Sequence, residues 1–222
     1  LCLFWGQSLR AADASHSEQI KWGNESVFNE EHNTLGLFSG VLGGQIVLAG
    51  GTSDDYSRWG RNAVCLSENA GFALYEDVLS KPLAYGASIT LSDGILCIGG
   101  RDSSQCYEDV FFVTMQQGKL NVSEDWPPLP FPLSNAAGAL LDNKVYLFGG
   151  RKSVSPSRLS DSFFVLDLSN KSRGWKELPG YPGCVREDAI LVVQNNGVSP
   201  CLYLLGGQTE TEEGVASCLT DG

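Results

Sequence analysis

Arg186, Glu187 and Asp188 set a guanidinium beside two carboxylates at the head of a short run of small and apolar residues. A guanidinium offers a flat, two-pronged donor that matches a carboxylate, and a carboxylate can take or return a proton. Arg186 is therefore a candidate anion-binding group and Glu187 a candidate proton-transfer group. Charges simply solvated at an exposed strand start are the competing reading. Arg101 and Arg151 each follow a Gly-Gly pair directly, with Asp102 and Lys152 next in line. That recurrence is also explained by repeat architecture alone. Tyr85, Asn135 and Phe38 occupy comparable points in the earlier segments and add a hydroxyl, an amide and a ring.

Other chemistries lack their residues. The 222 residues hold only two histidines, His16 and His32, and no C-x-x-C, so neither a structural zinc site nor a copper-radical oxidase is expected. No metal or cofactor is expected. Seven cysteines are present, but Cys97 and Cys201 sit inside apolar runs, where a free thiol acts as a small hydrophobe. Fifteen Lys and Arg against 26 Asp and Glu leave a net charge of -11, which disfavours nucleic acid as a partner. No stretch reaches the roughly 20 apolar residues of a membrane span.

The elements that must hold the candidate residues repeat. Residues 43–51, 92–100, 142–150 and 199–207 each read turn, short apolar strand, Gly-Gly, with the first glycines at Gly50, Gly99, Gly149 and Gly206. Small-residue strands precede the turns, and Asp109 and Asp161 lead into the strands that follow two of the diglycines. Trp126 with Leu129-Pro130 and Trp175 with Leu178-Pro179 close two of the units. A period near ~50 residues with four short strands per unit resembles the kelch repeat. The expected fold is all-β, a kelch-type β-propeller with four repeats visible, which amounts to about two-thirds of a six-bladed ring. The second strands of the blades are expected at 45–49, 95–98, 144–148 and 201–205. The acidic tail, Gln208 to Gly222, shows no further blade by sequence.

The wording of the repeats is more specific than their period. Phe38-Ser39-Gly40-Val41, Pro82-Leu83-Ala84-Tyr85-Gly86, Tyr107-Glu108-Asp109-Val110-Phe111, Pro132 to Gly138 and Gly174-Trp175-Lys176-Glu177-Leu178-Pro179 together resemble the cyclically permuted kelch-repeat mutarotases, relatives of the bacterial N-acetylneuraminate epimerases. The resemblance runs from about Trp22 to Gly207. It implies an exported enzyme that interconverts the anomers of free sialic acid, with a small sugar acid as partner. On that reading the sugar sits at the mouth of the central channel. Arg186 meets its carboxylate, Tyr85, Asn135, Arg101 and Asp102 bind the rest, and Glu187 moves the proton. Two phrases depart from the family: Thr52 to Trp59 replaces a small-residue stretch, and a Glu motif followed by Pro-Gly and Arg is absent. A non-catalytic propeller that binds glycan or protein partners is the alternative.

Residues 1–14 read as the remnant of a signal peptide. Leu1-Cys2-Leu3-Phe4-Trp5 is apolar, and Ala12-Asp13-Ala14 supplies an A-x-A cleavage site before Ser15. Residues 15–222 then form the propeller domain, in a periplasmic or extracellular protein. Trp22 is expected in the last strand of a blade whose other strands lie elsewhere.

Overall fold

The computed structural model describes residues 35–67, 71–210 and 216–219. The expected signal remnant and Trp22 lie outside these residues.

Each diglycine segment becomes the second strand of an antiparallel blade, four-stranded in the first three repeats. Blade one is β1 (Phe38–Leu42), β2 (Gln45–Ala49), β3 (Ala63–Ser67) and β4 (Gly71–Tyr75), paired in that order. Blade two is β5 (Ala87–Thr90), β6 (Ile95–Ile98), β7 (Val110–Gln116) and β8 (Lys119–Ser123). Blade three holds β9 (Ala137–Leu141) and β10 (Lys144–Phe148), then a small hairpin of β11 (Arg151–Ser153) and β12 (Arg158–Leu159). It ends with β13 (Phe163–Asp167) and β14 (Lys176–Leu178), joined by a 3-10 turn at Leu168–Arg173. The fourth repeat contributes β15 (Ile190–Asn195) and β16 (Pro200–Leu205), and then a hairpin of β17 (Gln208–Glu210) and β18 (Ala216–Cys218). All four expected second strands are present.

The tail is more ordered than its composition suggests. Leu219 N–H donates to Gly207 O at 2.9 Å, as Gly60 does to Gly51, Tyr107 to Gly100 and Ser160 to Gly150. The β17–β18 pair and Leu219 thus repeat the closure that follows the diglycine in every other blade. Blade one also has its fourth strand, although it lacks the Trp that closes the next two repeats; Tyr75 and Val78 pack against its core there.

Adjacent blades stack face to face. Phe38, Val47, Cys65 and Leu79 of blade one pack with Ile95, Cys97, Phe111 and Val113 of blade two. Leu96, Ile98 and Phe112 pack in turn with Val145, Leu147, Phe164 and Leu166 of blade three. Blade two is covered on both faces, which is why β6 is buried throughout and reads as an apolar run and not as alternation, whereas Val41, Ile46 and Leu74 stand exposed on the outer face of blade one. The innermost strands β1, β5, β9 and β15 neighbour one another in sequence around the axis. Their small residues let them converge: a Cβ on Gly40 would lie 2.6 Å from Ile95 Cδ1. Side chains also bridge these strands, since Ser39 N–H donates to Ser88 Oγ at 3.1 Å and Val41 N–H to Thr90 Oγ1 at 3.2 Å.

The diglycine has a steric cause. Gly99 has φ +63°, and a Cβ there would sit 2.2 Å from the Leu133 carbonyl oxygen of the next blade. Only a residue without Cβ lets the two blades close. Among the described residues the six cysteines are free, with Cys65, Cys97 and Cys106 buried. Cys201 is only partly buried, so it fills the core less fully than its apolar run suggests. No helix among the described residues is long and apolar enough to cross a membrane.

Candidate functional site at the mouth of the channel

Just before each innermost strand the chain makes a left-handed step. Gly36, Tyr85, Asn135 and Asp188 have φ of 64°, 61°, 56° and 52°. Each of the last three hands a hydrogen bond to the preceding blade: Tyr85 N–H to Gly36 O at 2.7 Å, Asn135 N–H to Tyr85 O at 2.6 Å and Asp188 N–H to Asn135 O at 3.0 Å. Left-handed backbone costs roughly 1 kcal/mol at each non-glycine residue, and such outliers collect at functional sites. The true counterpart of Tyr85 and Asn135 in blade one is Gly36, not Phe38. Phe38 lies two residues further on and is buried against Phe111, so it does not reach the mouth.

This chain of bonds gathers side chains as well. Asn135 Nδ2 donates to Asp188 Oδ1 at 2.8 Å. Asp188 is open to the channel, yet protein on its flanks strips part of its hydration, and this raises its carboxyl above the ordinary value. The Asn135 bond opposes the shift, and the Glu187 charge adds to it. Tyr85 is held neutral: burial first, then the Tyr56 hydroxyl at 3.3 Å, push its phenol well above the usual range.

The residues after the diglycines form a second tier. Thr52, Arg101, Arg151 and Gln208 bridge to Leu35, Ala84, Ser134 and Glu187. Arg151 is fully engaged. It grips Glu187 with two prongs, Nε to Oε2 at 2.8 Å and Nη2 to Oε1, while Nη2 also meets Glu210 Oε1 at 3.0 Å and Nη1 meets Ser157 Oγ. Ser157 in turn donates to Glu210. Arg101 has different company. Its guanidinium lies over the rings of Tyr85 and Trp59, 4.8 and 5.1 Å from their centroids, and Tyr56 stacks on Tyr85 at 6.5 Å.

Three four-stranded blades and the first strand pair of a fourth, each with an in-register diglycine, decide the architecture. The fold is a kelch-type β-propeller. The kelch motif matches residues 132–179, the whole of the third blade. Over 106 residues the chain is 31% identical to the N-acetylneuraminate epimerase of Vibrio cholerae, covering 48% of this chain and 25% of that protein. Over 89 residues it is 32% identical to the protein of that name from Yersinia pestis (strain Pestoides F), covering 40% and 20%. The Haemophilus influenzae (strain PittEE) protein of the same name is 29% identical over 99 residues, covering 45% and 24%. The chain therefore spans a quarter or less of these relatives. The solved structure of YjhT superposes with a TM-score of 0.65 at 14% identity, over 84% of this chain and 64% of that one, a likeness of fold.

Within these kelch blades the sequence-derived candidates separate. Tyr85 and Asn135 stand at the mouth, and Arg101 stands beside them. Arg186 does not face the channel. It occupies the place of Leu83 and Leu133 and is 1% exposed, with Nη1 donating to Gly206 O at 2.9 Å, Nε to Cys184 O at 3.3 Å, and its guanidinium over Tyr181. Those bonds and that burial keep it from a ligand's carboxylate. Glu187 is buried in its ion pair with Arg151, which occupies both of its oxygens and leaves neither facing a ligand. Asp102 is spent on its own loop. Burial alone would raise its carboxyl, but Tyr107 Oη at 2.5 Å, the Ser104 amide and hydroxyl and the Gln105 amide hold it at about 2. Sequence reasoning missed Asp188 as a separate group, and also Glu210, Tyr56 and Trp59. The recoverable signal was alignment: Asp188 falls in register with Tyr85 and Asn135.

Proposed function

We propose that the protein binds a sugar acid at this end of the channel and interconverts its anomers. The observation that carries the reading is the blade-to-blade line Tyr85, Asn135, Asp188. It sets a neutral phenol, an amide and an open carboxyl of raised proton affinity side by side on strained, over-determined backbone. Similarity to proteins named N-acetylneuraminate epimerase points to N-acetylneuraminate as the sugar.

Mutarotation needs one group to take the anomeric hydroxyl proton and another to protonate the ring oxygen. Asp188, in place of Glu187, takes the proton. Tyr85, protonated at any physiological pH, donates to the ring oxygen and recovers a proton as the ring closes on the opposite face. Asn135 holds Asp188 in position and offers its amide oxygen to a sugar hydroxyl. Export is part of the same proposal, and a mature N-terminus at Ser15 tests it.

Following the anomers of N-acetylneuraminate by NMR tests the activity. Exchange faster than in buffer alone supports it. Binding without acceleration would assign the protein to the ligand-holding propellers instead.

A further inference from the structure

We infer that Arg101 is the carboxylate receptor of this site, held ready by Trp59 and Tyr85. The inference rests on the reading of the channel mouth as a sugar-acid site and names the group that recognises the acid.

Arg186, Arg151 and Arg101 lie near this end of the propeller, and their surroundings differ. Arg186 is buried on backbone carbonyls. Arg151 is gripped by Glu187 and Glu210. Arg101 occupies the same place in blade two that Arg151 occupies in blade three, directly after the diglycine and bridged to the residue before the left-handed step. The difference comes from the next blade. Arg151 meets Glu187 there, whereas the residue equivalent to Glu187 on Arg101's side is Ser134, which is neutral, short and paired with Cys106 Sγ at 3.4 Å. Among the described residues no carboxylate lies within ion-pairing distance of Arg101. Among the described residues the one polar contact of its guanidinium is Nη1 to its neighbour's carbonyl, Asp102 O, at a long 3.4 Å.

A chain of net charge -11 has acids to spare, yet none is set against this cation. The rings stabilise the charge through their faces and fix the plane of the fork, leaving its edge open. Trp59 is itself pinned by donating Nε1–H to Tyr56 O at 3.1 Å. A planar carboxylate meeting that edge forms two parallel bonds with little further loss of side-chain freedom. The Arg101 guanidinium lies 4.8 Å from the centroid of the Tyr85 ring, and Tyr85 is joined through Asn135 to Asp188, so it stands beside that line of groups.

The test uses calorimetry with N-acetylneuraminate and its neutral methyl ester, on the unaltered protein, Arg101→Lys and Arg101→Ala, with thermal melting as a check on folding. The acid should bind on the order of 30-fold more tightly than the ester. Arg101→Ala should erase that preference while ester binding changes less than about threefold, and Arg101→Lys should recover only part of it because the fork is lost. Arg101→Ala binding the acid normally, or losing acid and ester equally, would overturn the assignment. Titrating glucuronate while watching the Arg101 Nε–Hε resonance separates the two readings. If glucuronate moves it and N-acetylneuraminate binds nowhere, the receptor stands and the proposed substrate falls. If neither acid moves it, the receptor is overturned.

Discussion

Asn135 and Asp188 hold each other twice across the seam between blades three and four: the amide Nδ2 donates to Asp188 Oδ1 at 2.8 Å, and Asp188 N–H donates to Asn135 O at 3.0 Å. The paired bonds orient a carboxyl that would otherwise rotate freely at an open mouth. They also leave Oδ2 without a partner among the described residues, facing the place where a sugar hydroxyl is proposed to lie.

Asp188→Asn should slow anomer exchange by at least about 100-fold with a much smaller effect on binding, because general-base help is worth 10²–10⁴. With Asp188 as the base, the unaltered rate should climb with pH through a carboxyl value above the ordinary ~3.9 and then level off. The stability effect has the opposite sense. Folding raises this carboxyl's proton affinity, so between the unfolded and the higher folded value the folded state binds more protons. Stability from this group is complete below the unfolded value and is lost as pH rises through the folded one. Asp188→Asn should remove that loss. Rate profiles and urea melts across pH 3 to 8 check both.

Arg151→Met should cost about 3 kcal/mol in urea unfolding, since it strands the Glu187 carboxylate, whose side chain is only 11% exposed. Adding Glu187→Leu should recover more than half of that loss, because two apolar groups leave no buried charge. A double variant weaker than the sum of the singles would show that the pair does not act as a unit.

Gly99→Ala should destabilise far more than Gly118→Ala. Both glycines have positive φ, +63° and +73°, but a Cβ on Gly99 meets a carbonyl oxygen at 2.2 Å while one on Gly118 meets nothing within 4 Å. Gly118→Ala should lose roughly 1 kcal/mol, the backbone cost alone. Gly99→Ala should lose 3 kcal/mol or more, or fail to accumulate as soluble protein. Equal losses would mean that the diglycine is a matter of turn conformation and not of blade contact.

The sequence by itself determined the repeat and therefore the blades. Gly50, Gly99 and Gly149 recur because each brings the carbonyl of Leu83, Leu133 or Arg186, at the head of the next blade, within 2.4 Å of where a Cβ would sit, and that demand is local enough to be written in residue type; Gly206 shares their positive φ. The strands at 45–49, 95–98 and 144–148 followed directly, and the fourth differs only in starting at Pro200. Tyr85, Asn135 and Arg101 were also legible as members of the mouth, because repeat register carries position along the chain.

Only the tertiary structure decided which charges are available. Arg101 and Arg151 are indistinguishable in the sequence, both following Gly-Gly. Their fates differ because Glu187 reaches Arg151 from the next blade, while the position equivalent to Glu187 on the side of Arg101 holds Ser134, whose hydroxyl pairs with Cys106. Arg186 looked like the natural anion-binding group, yet its backbone takes the place of Leu133, and burial turned its guanidinium onto Gly206 O and Tyr181. The aromatic seat under Arg101 joins a loop of blade one to a strand start of blade two. Residue type can announce a charge, but its pairing is set by contacts between blades, which no period along the chain encodes.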